Sequence, residues 1–261
     1  SEGNNLSFED ASNYIVNYKL DGTPYYTLDI KGKDGIDYRM NFSFGQTYGG
    51  TIGYTMNAFT RVQTEEIGNV KLVIERTLQA DSGYKSGDLF KLAIFEKDGD
   101  EYKEVTQNAI TYTPESAEGE TGTKYAYVVR TRENEKITSS YHYIITLNDK
   151  DPEDKPYTAV RESSGQQTTT IVTSYEVSSF EKKEMKVYYD AAGNGRYVEI
   201  DSEHNVIIYG FDTTGGSSYL VTESTYDAET GVYTVIWKND KQTLSVSFTV
   251  DDSNNTLTEK Q

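Results

Sequence analysis

Apolar and polar residues alternate along most of the chain, in short runs separated by Gly, Asn, Asp and Ser. Arg196–Ile200 has the period of a half-buried strand, and it lies between two polar turns, Asp190–Gly195 and Asp201–Asn205. The next run, Val206–Phe211, is apolar on both faces for most of its length. Because Gly and Asn adopt the backbone angles of tight turns at little cost, this region predicts a meander of strands.

The same pattern recurs through the rest of the sequence. Thr123–Arg132 and Ser139–Leu147 flank the polar turn Glu133–Lys136 and predict a hairpin, and Leu89–Lys97 predicts a further strand. About fifteen short strands are predicted in this way. Segments suited to crossover helices, which parallel sheets need, are missing from the pattern. The sequence therefore predicts an all-β protein, an antiparallel meander forming a sandwich or a large curved open sheet, with little helix.

Three segments are harder to interpret. Gly45–Asn57 is rich in glycine, but its spacing does not fit a phosphate-binding loop, so a loop or a bulged, bent strand is predicted. Within Ala58–Ala80 a strand is predicted for Val70–Leu78 and a turn for Thr64–Asn69. The tail from Asp251 is polar and is predicted to fray.

The segment 149–157 is acidic, contains two of the four prolines and interrupts the strand pattern. It predicts either a linker or a long loop. The corresponding division is an N-terminal β region, 1–148, and a C-terminal β region, 158–261. One continuous domain is the alternative, because a chain of 261 residues fits either organisation.

The composition agrees with a β protein and argues against some classes of partner. The chain has 23 Tyr residues, which suit a pleated, half-exposed surface. The net charge of −17, without a basic run, argues against nucleic acid and against an anionic membrane surface. The chain has no Cys, so thiol catalysis, thiolate metal sites and disulfides are excluded.

No stretch approaches the apolar length of a membrane span. The polar start, Ser1–Asn5, lacks an initiator Met, and we interpret the chain as mature or trimmed. An export signal or a lipid anchor upstream is expected to have been removed, which places the protein outside the cytoplasm, secreted or at the cell surface.

One segment resembles a tyrosine–aspartate (Rhs-type) repeat. The resemblance covers about a tenth of the chain, Tyr189–Asp212, and Tyr226–Gly231 matches its first half. The matching residues are Tyr189, Asp190, Gly193, Asn194, Asp201, Asn205, Tyr209 and Asp212. In that family long arrays of such repeats form β-rich shells, and a long array is absent here. The resemblance implies a hairpin of the kind found in bacterial surface or secreted proteins.

No residue is assigned a catalytic role from the sequence. The two His residues are His142, on a strand between tyrosines, and His204, in a turn, and both are interpreted as structural or solvated. Glu96 and Glu199 lie on alternating strands and are interpreted as solvent-facing. A pair of carboxylates for glycoside hydrolysis is defined by separation in space, which the sequence does not give.

Two binding sites are predicted. Four acidic residues in one loop supply the hard oxygen ligands that Ca²⁺ prefers, although not in the order of a known calcium loop; they are Asp149, Asp151, Glu153 and Asp154. No other cofactor is predicted. Tyr125 with Tyr127, and Tyr141 with Tyr143, fall on one face of the predicted hairpin. These four rings predict an aromatic platform for a carbohydrate or protein ligand, or cross-strand packing that only stabilises the sheet.

Three functions remain open at this point. The first is a non-catalytic extracytoplasmic bacterial β protein, at the surface or lipid-anchored, with a binding or structural role. The second is a carbohydrate-binding or carbohydrate-active β-sandwich. The third is a carrier of lipophilic ligands, in which a curved sheet surrounds an apolar cavity.

Overall fold

The structure of the chain is a computed structural model. It describes residues 15–21, 23–31, 37–46, 49–50, 52–80, 89–114, 116, 118–150, 158–161, 167–170, 174–211, 218–221, 223–238 and 243–260. Within these ranges the regular elements are all β-strands, and no helix occurs among them. The predicted all-β class, built from antiparallel strands, is therefore confirmed.

The chain divides into two compact units. Unit 1 comprises Ser1–Gln107 and Asp149–Glu176, and unit 2 comprises Asn108–Asn148 and Val177–Gln261. Of the predicted linker 149–157, the first two residues end the strand Lys136–Lys150, and 151–157 lie outside the described residues.

Unit 1 contains a seven-stranded sheet in which neighbours along the chain are also neighbours in the sheet. Its strands are β1 (Ile15–Asp21), β2 (Thr23–Lys31), β3 (Asp37–Gln46), β4 (Ile52–Ile67), β5 (Val70–Ala80), β6 (Phe90–Asp98) and β7 (Glu101–Glu104). Every pairing between them is antiparallel. The order follows from the short turns predicted between alternating strands, since a short turn can join only antiparallel neighbours.

The remaining strands are β8 (Ile110–Tyr112), β9 (Thr123–Glu133), β10 (Lys136–Lys150), β11 (Thr158–Arg161), β12 (Gln167–Thr170), β13 (Ser174–Tyr189), β14 (Gly195–Ile200), β15 (Val206–Phe211), β16 (Ser218–Leu220), β17 (Glu223–Asp227), β18 (Val232–Lys238), β19 (Thr243–Asp251) and β20 (Thr256–Lys260). Strands β11 and β12 form a two-stranded sheet, and the other eleven form one large sheet.

The hairpin of β4 and β5 corrects one prediction. Gly68, at φ +60°, and Asn69 form a two-residue turn. Thr64–Ile67 were predicted as part of that turn, but they continue β4 because they pair with β5 across the ladder, Thr64 opposite Val73. The prediction was wrong because a polar run resembles a turn, whereas on a ladder polar side chains can face solvent. The predicted strand Val70–Leu78 is confirmed within β5.

The glycine-rich segment Gly45–Asn57 is mostly strand. It includes the end of β3 and the first residues of β4. Register shifts occur beside it, between Asn41 and Phe42 and between Phe59 and Thr60. The bulged strand, one of the two predicted alternatives, describes the strand residues of this region, whereas Gly49 and Gly50 lie in a turn and residues 47, 48 and 51 lie outside the described residues.

Tyr175, at the start of β13, belongs to unit 1 and is hydrogen-bonded to Gln63 on β4 of the same unit. Its backbone N–H donates to Oε1 of Gln63 (2.9 Å), and its carbonyl accepts from Nε2 of Gln63 (2.6 Å). The guanidinium carbons of Arg61 and Arg76 lie 5.3 and 5.8 Å from the centroid of its ring. An amide side chain thus supplies the two hydrogen bonds that a neighbouring strand would make.

The large sheet has the order β16-β15-β14-β13-β20-β19-β18-β17, and β13 pairs also with β10, which continues through β9 to β8. Strands β13 and β20 pair in parallel, at Tyr189 and Thr256. Strands β14 and β15 are buried on both faces, as the apolar character of Val206–Phe211 predicted.

Two hydrophobic cores account for this burial. The aromatic core consists of Tyr188, Val198, Val206, Tyr209, Tyr233, Val235, Trp237, Phe248 and Leu257. The second core consists of Val128, Ile137, Met185, Tyr197 and Ile208. Tyr197 and Val198 are consecutive residues of β14 and belong to different cores, because successive side chains of a strand point to opposite faces.

Aromatic rings fill the aromatic core, and Gly210 leaves space for the ring of Tyr197 in the second core. The centroid of the Tyr209 ring lies 4.9 Å from that of Phe248 and 5.5 Å from that of Trp237. Gly210 pairs with Tyr197 across β14 and β15. A Cβ at position 210 would lie 1.8 Å from Cζ of Tyr197, so only glycine leaves space for this ring.

The turns that flank β14 share one hydrogen-bond pattern, which we call the aspartate clamp. Oδ1 of Asp190 accepts the backbone N–H groups of Ala192 (2.9 Å) and Asn194 (2.8 Å), and Oδ2 accepts Nδ2 of Asn194 (2.9 Å). Asp201 binds the backbone of the next turn in the same way, and its Oδ2 accepts Nδ2 of Asn205 (3.0 Å). Asx side chains form such turns because they can replace backbone acceptors.

Two further turns of unit 2 use the same device. Asp227 accepts the hydroxyl of Thr230 (2.7 Å), and Asp251 accepts Nδ2 of Asn254 (2.7 Å), each together with two backbone N–H groups. In all four clamps the side-chain hydrogen bond is the largest cause that lowers the pKa of the aspartate. The clamps thus stabilise the carboxylate form.

The C-terminal tail was predicted to fray, and this is wrong for 251–260. Strand β20 pairs with β19 on one side and with β13 on the other. Leu257 is 2% exposed and belongs to the aromatic core. A single apolar residue gave a weak signal, but two neighbouring strands and the clamp at Asp251 hold the segment in place.

Candidate functional site

The hairpin of β9 and β10 brings the four predicted tyrosines onto one face. Tyr127 lies directly opposite Tyr143, Tyr125 opposite Ile145, and Tyr141 opposite Val129. The turn between the strands is Asn134–Glu135, both at positive φ (49° and 68°), which is the geometry of a two-residue hairpin turn.

Burial differs among the four rings. Tyr143 is 1% exposed and Tyr127 is 8% exposed, whereas Tyr125 and Tyr141 are half-buried. Burial raises the pKa of Tyr127 to about 12. Only Tyr125 and Tyr141 therefore have substantial surface for a ligand, and Tyr127 and Tyr143 contribute packing.

A neighbouring strand contributes a cation to this face. Nζ of Lys182, on β13, lies 4.2 Å from the centroid of Tyr141 and 5.5 Å from that of Tyr143. The ring of Phe180 lies 6.3 Å from Tyr143. The face is thus an aromatic surface with one ammonium group over it, and a ligand at Tyr141 would meet both.

The predicted calcium loop is described only at its start. Asp149 is exposed at the end of β10, and Asp151, Glu153 and Asp154 lie outside the described residues. Within the described ranges no group of three or more His, Asp or Glu residues is arranged to hold a metal ion. Calcium binding by the loop stays a prediction.

A buried polar cluster in unit 2 was not predicted as a unit. His142, on β10, is 2% exposed, and Glu199, on β14, is 8% exposed. Nδ1 of His142 and Oε2 of Glu199 are 2.6 Å apart, and Nε2 of His142 is hydrogen-bonded to the hydroxyl of Tyr112 on β8. We call these three residues the histidine cluster.

The partners fix the roles of the two ring nitrogens. A carboxylate can only accept, so Nδ1 of His142 carries the proton and donates to Glu199. In the neutral imidazole Nε2 then accepts from the hydroxyl of Tyr112. Burial, and to a smaller extent the charge of Glu199, raises the pKa of Tyr112, so this hydroxyl stays protonated.

The cluster reaches solvent on the side of Glu199. Nζ of Lys183, whose side chain is 54% exposed, lies 3.9 Å from Oε1 of Glu199. Chemically the order Tyr–His–Glu resembles a relay in which an acid orients a histidine, and the hydroxyl at its end belongs to the half-buried Tyr112. The hydrogen bonds of the histidine cluster join three strands, β8, β10 and β14.

Glu199 corrects a prediction made from the alternation of β14. The residue was interpreted as solvent-facing, and it is buried because β14 is covered on both faces. The partner His142 is 57 residues away in sequence, so no local pattern identifies the pair. Each segment nevertheless contained one unusual residue. His142 lies between two tyrosines, and Glu199 is the one acidic residue of its strand.

The other histidine belongs to a clamped turn. His204 is exposed, has φ +65° and stacks on Tyr226 with centroids 4.3 Å apart. Its Nδ1 lies 3.1 Å from the hydroxyl of Tyr233. These contacts agree with the structural role predicted for it.

No family model matches the chain, and no curated protein matches it. In the part of the chain that the structure describes, no helix has both the length and the apolar character needed to span a membrane.

Proposed function

We propose that the chain is a non-catalytic, extracytoplasmic β protein of bacterial type, at the cell surface, secreted or lipid-anchored, with a structural or binding role. The observation that carries the proposal is the pair of aspartate clamps around β14. They occur at Asp190 and Asp201, within the segment that resembles a tyrosine–aspartate repeat. A hairpin fixed by its own side chains suits a scaffold that must persist outside the cell without disulfides.

Location is tested on intact cells that produce the full-length protein. Brief protease treatment, followed by mass spectrometry of the released peptides, is expected to yield peptides of this chain before the cells lyse. A cytoplasmic marker protein serves as the control for lysis. Peptides that appear only together with the cytoplasmic marker would refute the extracytoplasmic location.

A second candidate function is carbohydrate binding by the aromatic face of β9 and β10. It is favoured by the half-buried rings of Tyr125 and Tyr141, which present aromatic surface on one face of a rigid hairpin. Sugars stack on such rings through their apolar C–H faces, and nearby polar groups fix their orientation.

The binding candidate is tested with a glycan array. Tyr141→Ala should remove binding of any glycan that the native chain retains, since it deletes the half-buried ring that lies beside the ammonium group of Lys182. Tyr102→Ala is the matched control, because Tyr102 is a half-buried tyrosine on β7 of unit 1. Equal binding by both variants, or no binding by the native chain, would reject this function.

A carrier of lipophilic ligands is less well supported. It requires an apolar interior that is open to a ligand. In unit 2 the rings of Trp237 and Phe248 pack against that of Tyr209 and fill the aromatic core. We therefore propose only the first two functions.

A further inference from the structure

The clamped turn of β13 and β14 contains the one Asn-Gly pair in the sequence, Asn194-Gly195. Asparagine is thermolabile, and it is most labile before glycine. The backbone nitrogen of the next residue attacks the side-chain carbonyl carbon, and glycine has no side chain to hinder the attack. Position 194 therefore combines an intrinsically reactive pair with an exposed turn.

The structure ties the side chain of Asn194, one partner of this reaction, to Asp190. The carboxamide of Asn194 donates to Asp190 Oδ2 (2.9 Å), and the backbone N–H of Asn194 donates to Oδ1 (2.8 Å). The carbonyl of Asn194 accepts the backbone N–H of Asp190 (3.0 Å). The side chain is thus turned back towards Asp190, whereas the reaction requires it to approach the nitrogen of Gly195.

Gly195 is restrained as well. It is buried and pairs with Tyr189 across the ladder of β13 and β14. Its carbonyl accepts from Nη1 of Arg196 (3.1 Å). We propose that Asn194 is a latent deamidation site, which the Asp190 clamp keeps unreactive in the folded hairpin.

The reaction needs no reagent other than water. The nitrogen of Gly195 forms a bond to Cγ of Asn194, and the side-chain NH₂ leaves as ammonia with the proton of that nitrogen. Water then adds to either carbonyl of the cyclic imide and breaks one C–N bond. The product has aspartate or isoaspartate at position 194.

The product cannot restore the clamp. Its carboxylate would replace a donor that lies 2.9 Å from Oδ2 of Asp190, so two acceptors of like charge would face each other. Isoaspartate would in addition lengthen the backbone at the turn. Deamidation is therefore a one-way opening of this hairpin.

The chain offers a matched control within itself. Asn205 is clamped by Asp201 through the same three hydrogen bonds, but Val206 follows it. A branched side chain hinders attack by the following nitrogen. Asn205 therefore shows how much deamidation the loss of a clamp causes when the next residue is not glycine.

The experiment incubates the full chain at neutral pH and body temperature and measures both asparagines by peptide mapping, with separation of aspartate and isoaspartate. Four samples are compared: the native chain, the native chain in urea, Asp190→Ala and Asp201→Ala. We expect Asn194 to stay intact in the folded native chain while it converts in urea. In Asp190→Ala conversion should rise about tenfold, which is the order of change that loss of a charge-assisted hydrogen bond gives. In Asp201→Ala, Asn205 should stay intact.

Folding of each variant is monitored by near-UV circular dichroism. If Asp190→Ala fails to fold, Asp190→Ser replaces it, because a hydroxyl can still accept the backbone N–H but cannot reach the carboxamide. Conversion of Asn194 in the folded native chain at the rate seen in urea would overturn the proposal. Equal rates in the native chain and the folded Asp190 variant would overturn it too, since the clamp would then not be the protection.

Discussion

Unit 1 and unit 2 consist of the same kind of strand, but they fix those strands by different means. In unit 1 the described core residues of β5 and β6 are aliphatic, such as Leu72 and Ile94, and each strand pairs with its neighbour in the chain. In unit 2 the core contains the rings of Tyr209, Trp237 and Phe248, and four turns are clamped by aspartate.

The difference follows from topology. A meander in chain order needs only alternation and a short turn at each reversal, because every strand pairs with its neighbours along the chain. The sheet of unit 2 joins β13 to β20, 67 residues apart at Tyr189 and Thr256, so its register cannot be set by one turn. The packed rings of the aromatic core and the aspartate clamps help to set the register of these strands instead. We therefore expect unit 2 to tolerate less change than unit 1.

The largest contrast is expected from one substitution made in each unit. Gly210→Ala places a methyl group 1.8 Å from the ring of Tyr197, which is fully buried. It should destabilise unit 2 by about 3 kcal/mol, the upper range for overpacking. Gly45→Ala, on β3 of unit 1, meets nothing within 4 Å and should change stability by less than about 0.5 kcal/mol.

The measurement is urea unfolding followed by two signals. The single Trp of the chain, Trp237, lies in the aromatic core, so its fluorescence reports on unit 2. Far-UV circular dichroism reports on the strands of both units. A Gly210→Ala variant with native Trp237 fluorescence and an unchanged midpoint would show that the sheet of unit 2 can shift to accept the methyl group.

The next effect in size concerns the histidine cluster. Glu199→Ala leaves the buried Nδ1–H of His142 without its acceptor, which should cost unit 2 about 2 kcal/mol. Glu199→Gln keeps an oxygen acceptor and should cost less. In unit 1 the half-buried pair of Glu75 and Arg39 (3.0 Å) provides the comparison, and Glu75→Ala should cost less than about 1 kcal/mol. Equal losses for Glu199→Ala and Glu75→Ala would mean that burial of the pair adds nothing.

The aspartate clamps predict a dependence on pH. Folding lowers the pKa of Asp201, mainly through the hydrogen bond from the Asn205 side chain. The resulting stabilisation is fully present above the unfolded pKa of about 3.9 and is lost as the pH falls through the folded pKa. Asp201→Asn should therefore lower the unfolding free energy at neutral pH, and the difference from the native chain should disappear in strong acid.

A carboxylate of unit 1 serves as the counterpart. The pKa of Asp98 is also lowered, by the hydrogen bond from Lys103 and then by the positive charge of that residue, in an exposed ion pair. Salt screens such a pair, so the effect of Asp98→Asn should vanish at high ionic strength, whereas that of Asp201→Asn should persist. A clamp whose effect vanishes with salt would have to be reinterpreted as simple charge attraction.

The sequence allowed the strands to be predicted wherever both alternation and a turn signal were present. Val206–Phe211 was predicted with its observed bounds, and the all-β class followed from many such segments. Strand β20 was missed because its stability comes from its neighbours rather than from its own side chains. Burial of Glu199 was missed for a related reason, since alternation shows which residues share a face but not whether a second layer covers it.

For the candidate site the sequence determined which rings share a face, but not their burial. Alternate positions placed Tyr125, Tyr127, Tyr141 and Tyr143 together, and the register of β9 and β10 brings them there. What covers Tyr127 and Tyr143 depends on contacts distant in sequence, such as that of Phe180 with Tyr143. The histidine cluster combines three strands and was beyond any local pattern.

The smallest expected effect is a gain in stability at a hairpin turn. It compares one turn of unit 1 with one turn of unit 2. The turn of β4 and β5 in unit 1 has glycine at its residue of positive φ, Gly68 (+60°), whereas the turn of β9 and β10 in unit 2 has Asn134 and Glu135 (φ 68°). Asn tolerates this conformation, but for Glu it costs roughly 1 kcal/mol or more. Glycine removes that cost and adds entropy to the unfolded chain, so Glu135→Gly should stabilise unit 2 by about 0.5 kcal/mol.

Chemical unfolding monitored at Trp237 would detect this gain as a higher midpoint with an unchanged slope. The side chain of Glu135 is exposed, and the hydrogen bond that Arg132 donates to its backbone carbonyl is kept when glycine replaces it. The reverse change in unit 1, Gly68→Ala, should destabilise by about 1 kcal/mol, because its Cβ has open space and only the backbone angle opposes it. If Glu135→Gly were destabilising instead, the strain inferred at this turn would be absent, and the two hairpin turns would differ in sequence without differing in cost.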